Sequence, residues 1–226
     1  LATFAPAPLP GGDAAVRHPL RQLIARRFMA GLDPAADQAL APAGQSDAVA
    51  IWHAQCRSGI ACPHSHSAGR LFDAVAALLG VAPETVTYEG QAAVRLEAAA
   101  RRHGATPPPA PPLFDTRVTD GILLLDWTPL FQNWNDLPNI RRNPEERAAQ
   151  FHVAMAQACR TMIEFGRSAP DVARDAVALS GGVFMNQWLC EYLAEILAKH
   201  SIEPLFHQHT PPNDGCIALG QALVEV

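Results

Sequence analysis

The chain has 226 residues, 49% of them hydrophobic, and carries a net charge of −5 from 17 Lys and Arg against 22 Asp and Glu. That length and apolar content suffice for a substantial core, in one large or two small domains. No dense basic run offers an electrostatic footprint for nucleic acid, and neither a basic amphipathic stretch nor an apolar run near the roughly 20 residues of a membrane span points to lipid.

The opening segment, Leu1 to Asp13, is rich in proline and glycine and reads as a surface loop. It lacks a charged stretch followed by an apolar one, so a cytoplasmic protein is expected. Asp13 can cap a helix in which Val16, Leu20, Leu23, Ile24 and Phe28 form an apolar stripe ending near Gly31. Short helices follow at Ala35 to Leu40 and Asp47 to Gln55, then a loop from Arg57 to Pro63. Ser67 can cap a helix from Ala68 to Leu79, with Leu71, Phe72, Val75, Leu78 and Leu79 as its buried face and Gly80 as its stop. Asp73 falls between those core positions and reads, from spacing alone, as a solvated acid or a salt-bridge partner.

Glu89 reads as a first-turn acid at the start of an alanine-rich helix, Gln91 to Arg102. The tract Thr106 to Pro112 carries five prolines and marks a linker or surface crossover. Beyond it, Gly121 to Asp126 reads as a strand, followed by an irregular stretch through Trp127 and Trp134. Asn143-Pro144-Glu145-Glu146 combines an N-cap, a proline at the first helical position and a capping-box acid, opening a helix to Gly166 whose methionines fill core.

The last third alternates strand, glycine turn and helix, which is the pattern of a mainly parallel α/β sheet. Val177 to Leu179 is a strand, Ser180-Gly181-Gly182 breaks it, and Asn186 to Lys199 has helical spacing. Two adjacent glycines let N–H groups converge where a phosphate could sit, although a plain strand-to-helix turn has the same composition. A second strand, Ile202 to Phe206, leads through Asn213-Asp214-Gly215 into a small-residue helix, Cys216 to Val224. In such sheets ligands bind at the carboxyl ends of strands, where both the glycine turn and Asp214 fall. His207 and His209, two apart at a strand end, face one side and permit either a metal pair or a solvated pair; His64 and His66 are equally open. The five cysteines, Cys56, Cys62, Cys159, Cys190 and Cys216, contain no CxxC and read as reduced, mostly buried thiols.

Five blocks occur in sequence: LPGGDAAVR at Leu9 to Arg17, GRLFDAVAALLG at Gly69 to Gly80, VTYEGQAA at Val86 to Ala93, LSGGVFMN at Leu179 to Asn186 and PPNDGCIALGQA at Pro211 to Ala222. With them the chain resembles the C-terminal part of the hydrogenase maturation carbamoyltransferases, the HypF family, over nearly its whole length. The resemblance implies an α/β lobe of the actin-like ATPase (ASKHA) type, a mixed sheet flanked by helices with helical insertions. Residues 1–105 would be the helical part and 106–226 the α/β C-terminal lobe of one truncated domain, and the chain is read as a fragment or the product of a shortened gene.

By that resemblance Asp73, Glu89 and Gly90 lie near the ribose of ATP or carbamoyl adenylate. Gly181, Gly182 and Asn186 lie around its phosphates or carbamoyl portion, and Asp214 is a metal ligand. The chemistry agrees: carboxylates accept ribose hydroxyls, glycine amides suit an anion, and an aspartate is a hard oxygen ligand. Asp73→Ala and Asn186→Ala are accordingly expected to stop transfer with the fold intact. A divalent metal, Mg or Fe, is expected only with the first lobe, because the family's histidine-rich metal motif is absent here. The sequence departs from the family at Cys62 to Ala68, where small hydroxyl residues are usual, and at Cys216, which replaces a glycine.

The implied reaction is ATP-dependent in the full-length protein, which also uses carbamoyl phosphate. The carbamoyl group passes from carbamoyl adenylate to the C-terminal cysteine of a HypE-type acceptor, on the route to the cyanide ligands of [NiFe]-hydrogenase. The isolated chain is expected to be inactive. The alternatives are a non-catalytic docking module that retains the fold, and a carbamoyltransferase of tRNA or antibiotic modification. A lobe lacking its companion would expose apolar surface, which a homodimer could cover.

Overall fold

A computed structural model describes residues 1–41, 46–104, 106, 108–169 and 175–224. The opening segment is not a loop. Ala2–Phe4 (β1) pairs in parallel with Ile122–Asp126 (β5), Ala2 opposite Leu123 and Phe4 opposite Leu125, and Ala7–Pro8 (β2) pairs antiparallel with His64–Ser65 (β3). Phe4, Ala5 and Ala7 are buried. The prolines mislead because they sit on an edge or between strands, where the missing N–H costs no ladder bond.

The helix expected from Asp13 to Gly31 is two: Ala14–Arg17 (α1) and Pro19–Met29 (α2). Pro19 forces His18 into an extended conformation (φ −125°, ψ 90°), which breaks the first and starts the second. Pro34–Asp37 (α3) and Ser46–Ser58 (α4) follow, the latter running past Arg57, and then Ala68–Leu78 (α5) begins with Ser67 accepting from the Arg70 N–H at 3.3 Å. The whole expected apolar face of α5 is buried. Gln91–His103 (α6) has Gly90 as its N-cap, so Glu89 stands before the helix and not in its first turn.

The proline tract is strapped down by side chains from both following segments: Gln150 donates to the Pro109 carbonyl and Asn133 to that of Pro112, both at 3.1 Å. Residues 105 and 107, at the proposed boundary, lie outside the described residues. Asp115–Thr119 (β4) forms a hairpin with β5 through Asp120 and Gly121, both at positive φ (51° and 75°). That is the Asp-Gly pair of a two-residue hairpin turn, a signal the apolar run of β5 alone does not carry. The tryptophan stretch is helical, Thr128–Asn133 (α7) and Leu137–Ile140 (α8), each with a proline in its first turn. Trp127 is buried against Phe4, Phe114 and Phe151.

Pro144–Arg167 (α9) starts as the sequence indicates. Asn143 accepts from the Glu146 N–H, and its own side-chain amide donates to Glu146 Oε2 at 2.7 Å. Ala176–Leu179 (β6) pairs in parallel with Glu203–Phe206 (β7), joined through Gln187–Lys199 (α10). Ile217–Leu223 (α11) closes the described chain and is exposed throughout. The fold is mixed α/β, but the single mainly parallel sheet is replaced among the described residues by three small ones, β1-β5-β4, β2-β3 and β6-β7. Helix packing dominates, since one continuous core joins α5, α6, α9 and α10 with β1 and β5.

Of the five free cysteines only Cys62 is buried, so the thiols are less sheltered than composition implied. Among the described residues no helix is long and apolar enough to cross a membrane.

Candidate functional site

A cleft of about 590 Å³ opens where four segments converge: the first two turns of α5, the Glu89-Gly90 entry to α6, the turn before α10, and the Asn213–Gly215 loop. Asp73, Glu89, Gly90, Gly182, Asn186 and Asp214, drawn from four separated stretches of sequence, all line it. A shallower hollow beside it shares Arg70, Asp73, Glu89 and Gly90 and adds Arg17 and Tyr88.

Asp73 is not solvated. It is 4% exposed, and burial raises its pKa to about 6, opposed by the Arg70 charge. Arg70 Nη1 stands 2.7 Å from Asp73 Oδ2 as an i,i+3 ion pair, yet this buried oxygen accepts no well-directed hydrogen bond. The carboxylate is thus held against Arg70 in the wall of the cleft, with this oxygen withdrawn from water. Gly90 adopts φ +78° and a Cβ there would meet nothing within 4 Å, so the glycine serves the backbone turn and keeps the rim open.

The glycine turn divides its labour. Gly181, at φ +107°, donates its N–H to the Pro212 carbonyl at 2.7 Å and is absent from the cleft wall, so its amide does not point at a ligand. Gly182 begins a short 3-10 turn, Gly182–Met185, and the first N–H groups of such a turn have no carbonyl behind them to bond. Gly182 and Val183 both line the cleft.

Asn186 lines the cleft but is 8% exposed, and both its polar atoms are engaged inside the protein. Oδ1 accepts from the Leu189 N–H at 2.9 Å as the N-cap of α10, and Nδ2 lies 2.8 Å from His152 Nε2. Asn186 thus lines the cleft and also holds a helix end, and the expectation that it is not a core residue is corrected: its side chain is buried.

His152, Arg70 and Glu97 escaped the sequence reading. Glu97 lines the cleft and accepts from the Trp188 N–H at 3.2 Å. His152 is fully buried, with its pKa lowered to about 4 chiefly by burial. The i,i+3 spacing of Arg70 and Asp73 could have revealed their pairing; no local pattern marks His152.

The lining carries four carboxylates, Asp73, Glu89, Glu97 and Asp214, against the single guanidinium of Arg70. Such a wall recognises hydroxyl and amino donors well and a polyanion poorly unless cations are added. Asp214 is exposed, and among the described residues no group of three or more His, Cys, Asp or Glu could hold a metal ion. One exposed carboxylate does not make a divalent site, so these residues do not by themselves fit a metal. His66 Nδ1 is bonded to the Phe4 carbonyl at 2.6 Å, while His207 bridges Ser180 and Thr210 at 3.0 and 3.1 Å. His64 and His209 are exposed. β7 ends at Phe206, so His207 and His209 lie past the strand and not on it.

The sequence profile of a family described as "Carbamoyltransferase, Kae1-like Domain, second subdomain" matches residues 1–221. The carbamoyltransferase HypF of Rhodobacter capsulatus is 41% identical over 228 residues, an alignment covering 99% of this chain and 28% of that protein. A crystal structure of full-length HypF in a phosphate- and nucleotide-bound form superposes with a TM-score of 0.81 at 26% identity, covering 98% of this chain and 28% of the other. HypF of T. kodakarensis superposes with a TM-score of 0.79 at 27% identity, over 98% and 29%. The chain thus spans under a third of the length of these relatives.

Proposed function

From the premise that the chain belongs to the HypF carbamoyltransferase family, we propose that its cleft binds the nucleoside part of ATP or carbamoyl adenylate, within an enzyme that passes the carbamoyl group to a HypE-type acceptor thiol. The observation that carries this reading is the convergence of six residues, from four separated stretches of sequence, on one cleft with the buried Asp73 carboxylate in its wall.

Asp73 and Glu89 accept the ribose hydroxyls, and Gly90 keeps their entry clear. The Gly182 and Val183 N–H groups donate to the phosphate or carbamoyl oxygens, where they stabilise charge as the carbonyl is attacked. The acceptor thiolate attacks the carbamoyl carbon and the adenylate phosphate leaves, so no cysteine of this chain is a nucleophile. The four-to-one excess of carboxylates in the lining supports a division of labour: this chain holds the nucleoside, and the cations that offset the phosphate charge come from the first subdomain. Asp214 would supply one ligand to a metal shared in that way. The ASKHA-type lobe and the partition at residues 105 and 106 belong to the same reading. The exposed apolar side chains of α11, Ile217, Leu219 and Leu223, support its packing against a companion, either that subdomain or a second copy.

Calorimetric titration of the chain with ATP, with and without magnesium, tests the reading when repeated on Asp73→Asn. Saturable binding that weakens at least about tenfold in the variant is expected, as for loss of an acceptor to buried hydroxyls. Equal binding by the variant, or none by either protein at millimolar ATP, would overturn it for this chain.

A further inference from the structure

The glycine turn that lines the cleft is anchored by a buried polar chain with one self-consistent arrangement. His152 Nδ1 lies 2.7 Å from the Ala148 carbonyl one turn back on α9, and a carbonyl can only accept, so Nδ1 carries the ring proton. Nε2 is then an acceptor, which requires the Asn186 atom 2.8 Å away to be the amide nitrogen. Asn186 Oδ1 is thereby turned to the Leu189 N–H at 2.9 Å, capping α10. Reversing the amide would set acceptor against acceptor at the ring and donor against donor at the helix. Asn186 also closes the Gly182–Met185 turn, its N–H bonding the Val183 carbonyl at 3.1 Å. The imidazole is wedged between Phe72, 5.6 Å away and itself part of the cleft wall, and Trp188 at 5.3 Å.

We infer that His152 is a positioning residue of the nucleotide cleft: as a buried Nδ1–H imidazole it sets the orientation of the Asn186 amide, and through it the place of the Gly182 and Val183 N–H groups. It touches no ligand. The role in binding rests on the nucleotide reading above, whereas the role in orienting the turn does not. The neutral Nδ1–H tautomer is the less common one for a free imidazole, so it gives a signature that mere filling of space would not.

The test joins two readouts on the whole chain. Nitrogen-15 NMR of the imidazole in the wild type should show Nδ1 protonated and Nε2 bare; a protonated Nε2 overturns the inference. ATP titration of His152→Phe, which keeps ring volume but removes the acceptor, should show affinity lowered about tenfold or more. His152→Gln, whose side-chain oxygen can still accept from Asn186, should stay within about threefold. Wild-type affinity in a folded His152→Phe, or equal loss in both variants, refutes the positioning role. If the wild type binds no ATP, the functional reading fails by itself. The Gly182 and Val183 amide resonances then decide, and they should move in His152→Phe, or in His152→Leu if the first variant does not fold, and return in His152→Gln. Unmoved resonances refute the inference.

Discussion

Asn186→Ala separates a helix cap from a ligand contact, and its size can be worked from the geometry. The substitution removes the Oδ1 acceptor from Leu189 N–H, a loss of about 1 kcal/mol for an N-cap. It also leaves His152 Nε2 fully buried with no donor, at a further cost of about 1–3 kcal/mol. The sum, roughly 2–4 kcal/mol, corresponds to a fall in Tm on the order of 4–16 °C for a chain of this size. Thermal denaturation followed by circular dichroism measures it. Asn186→Ser divides the two parts, since its hydroxyl keeps the cap and loses only the ring contact, and its Tm should lie between the other two. Asn186→Asp keeps the cap but sets a carboxylate oxygen against Nε2, which should draw a proton onto His152 and raise its pKa well above about 4. A Tm for Asn186→Ala within about 2 °C of wild type, equivalent to less than about 1 kcal/mol, would refute the capping and burial argument and return Asn186 to the role of a pure ligand contact.

Asp73→Asn should raise stability at pH 7 while weakening ATP binding. Its folded pKa of about 6 lies above the unfolded value near 4, so stability is lost as pH rises through that window, by up to about 3 kcal/mol. His152 has the opposite sign: its folded pKa of about 4 lies below the unfolded value near 6.5, so stability is lost as pH falls between them. The two slopes offset each other in the wild type. Asp73→Asn should therefore unmask acid lability between about pH 6.5 and 4, visible in urea melts, and an unchanged pH profile would contradict both assignments. Gly181→Ala should cost roughly 1–3 kcal/mol from backbone strain alone, because φ is +107° and a Cβ there would meet nothing within 4 Å; a wild-type melting curve would count against it. Asp37→Ala should cost about 3–5 kcal/mol without altering the cleft, since it strands Arg27 and His53, both buried and bonded to the lost carboxylate. Chemical denaturation alongside ATP titration of the surviving fold checks both halves of that statement.

Sequence alone determined what lies within a few residues of itself. The Asn143-Pro144 start of α9 and the Ser67 cap and buried face of α5 follow from spacings of three and four, which is the range over which a helix interacts with itself. The five family blocks likewise nominated cleft residues that no periodicity could select. Tertiary structure decided the rest. The pairing of β1 with β5 joins residues about 120 positions apart, so a proline-rich opening was indistinguishable from a loop until its partner strand was known. The same holds for the site. Asp73 looked like any helical acid until burial by neighbouring elements withheld water from its carboxyl group, and His152 acquired meaning only when α9 brought it to the cap of a helix 34 residues further on. Desolvation and hydrogen-bond complementarity depend on what surrounds a group in space, and a linear spacing carries no record of that.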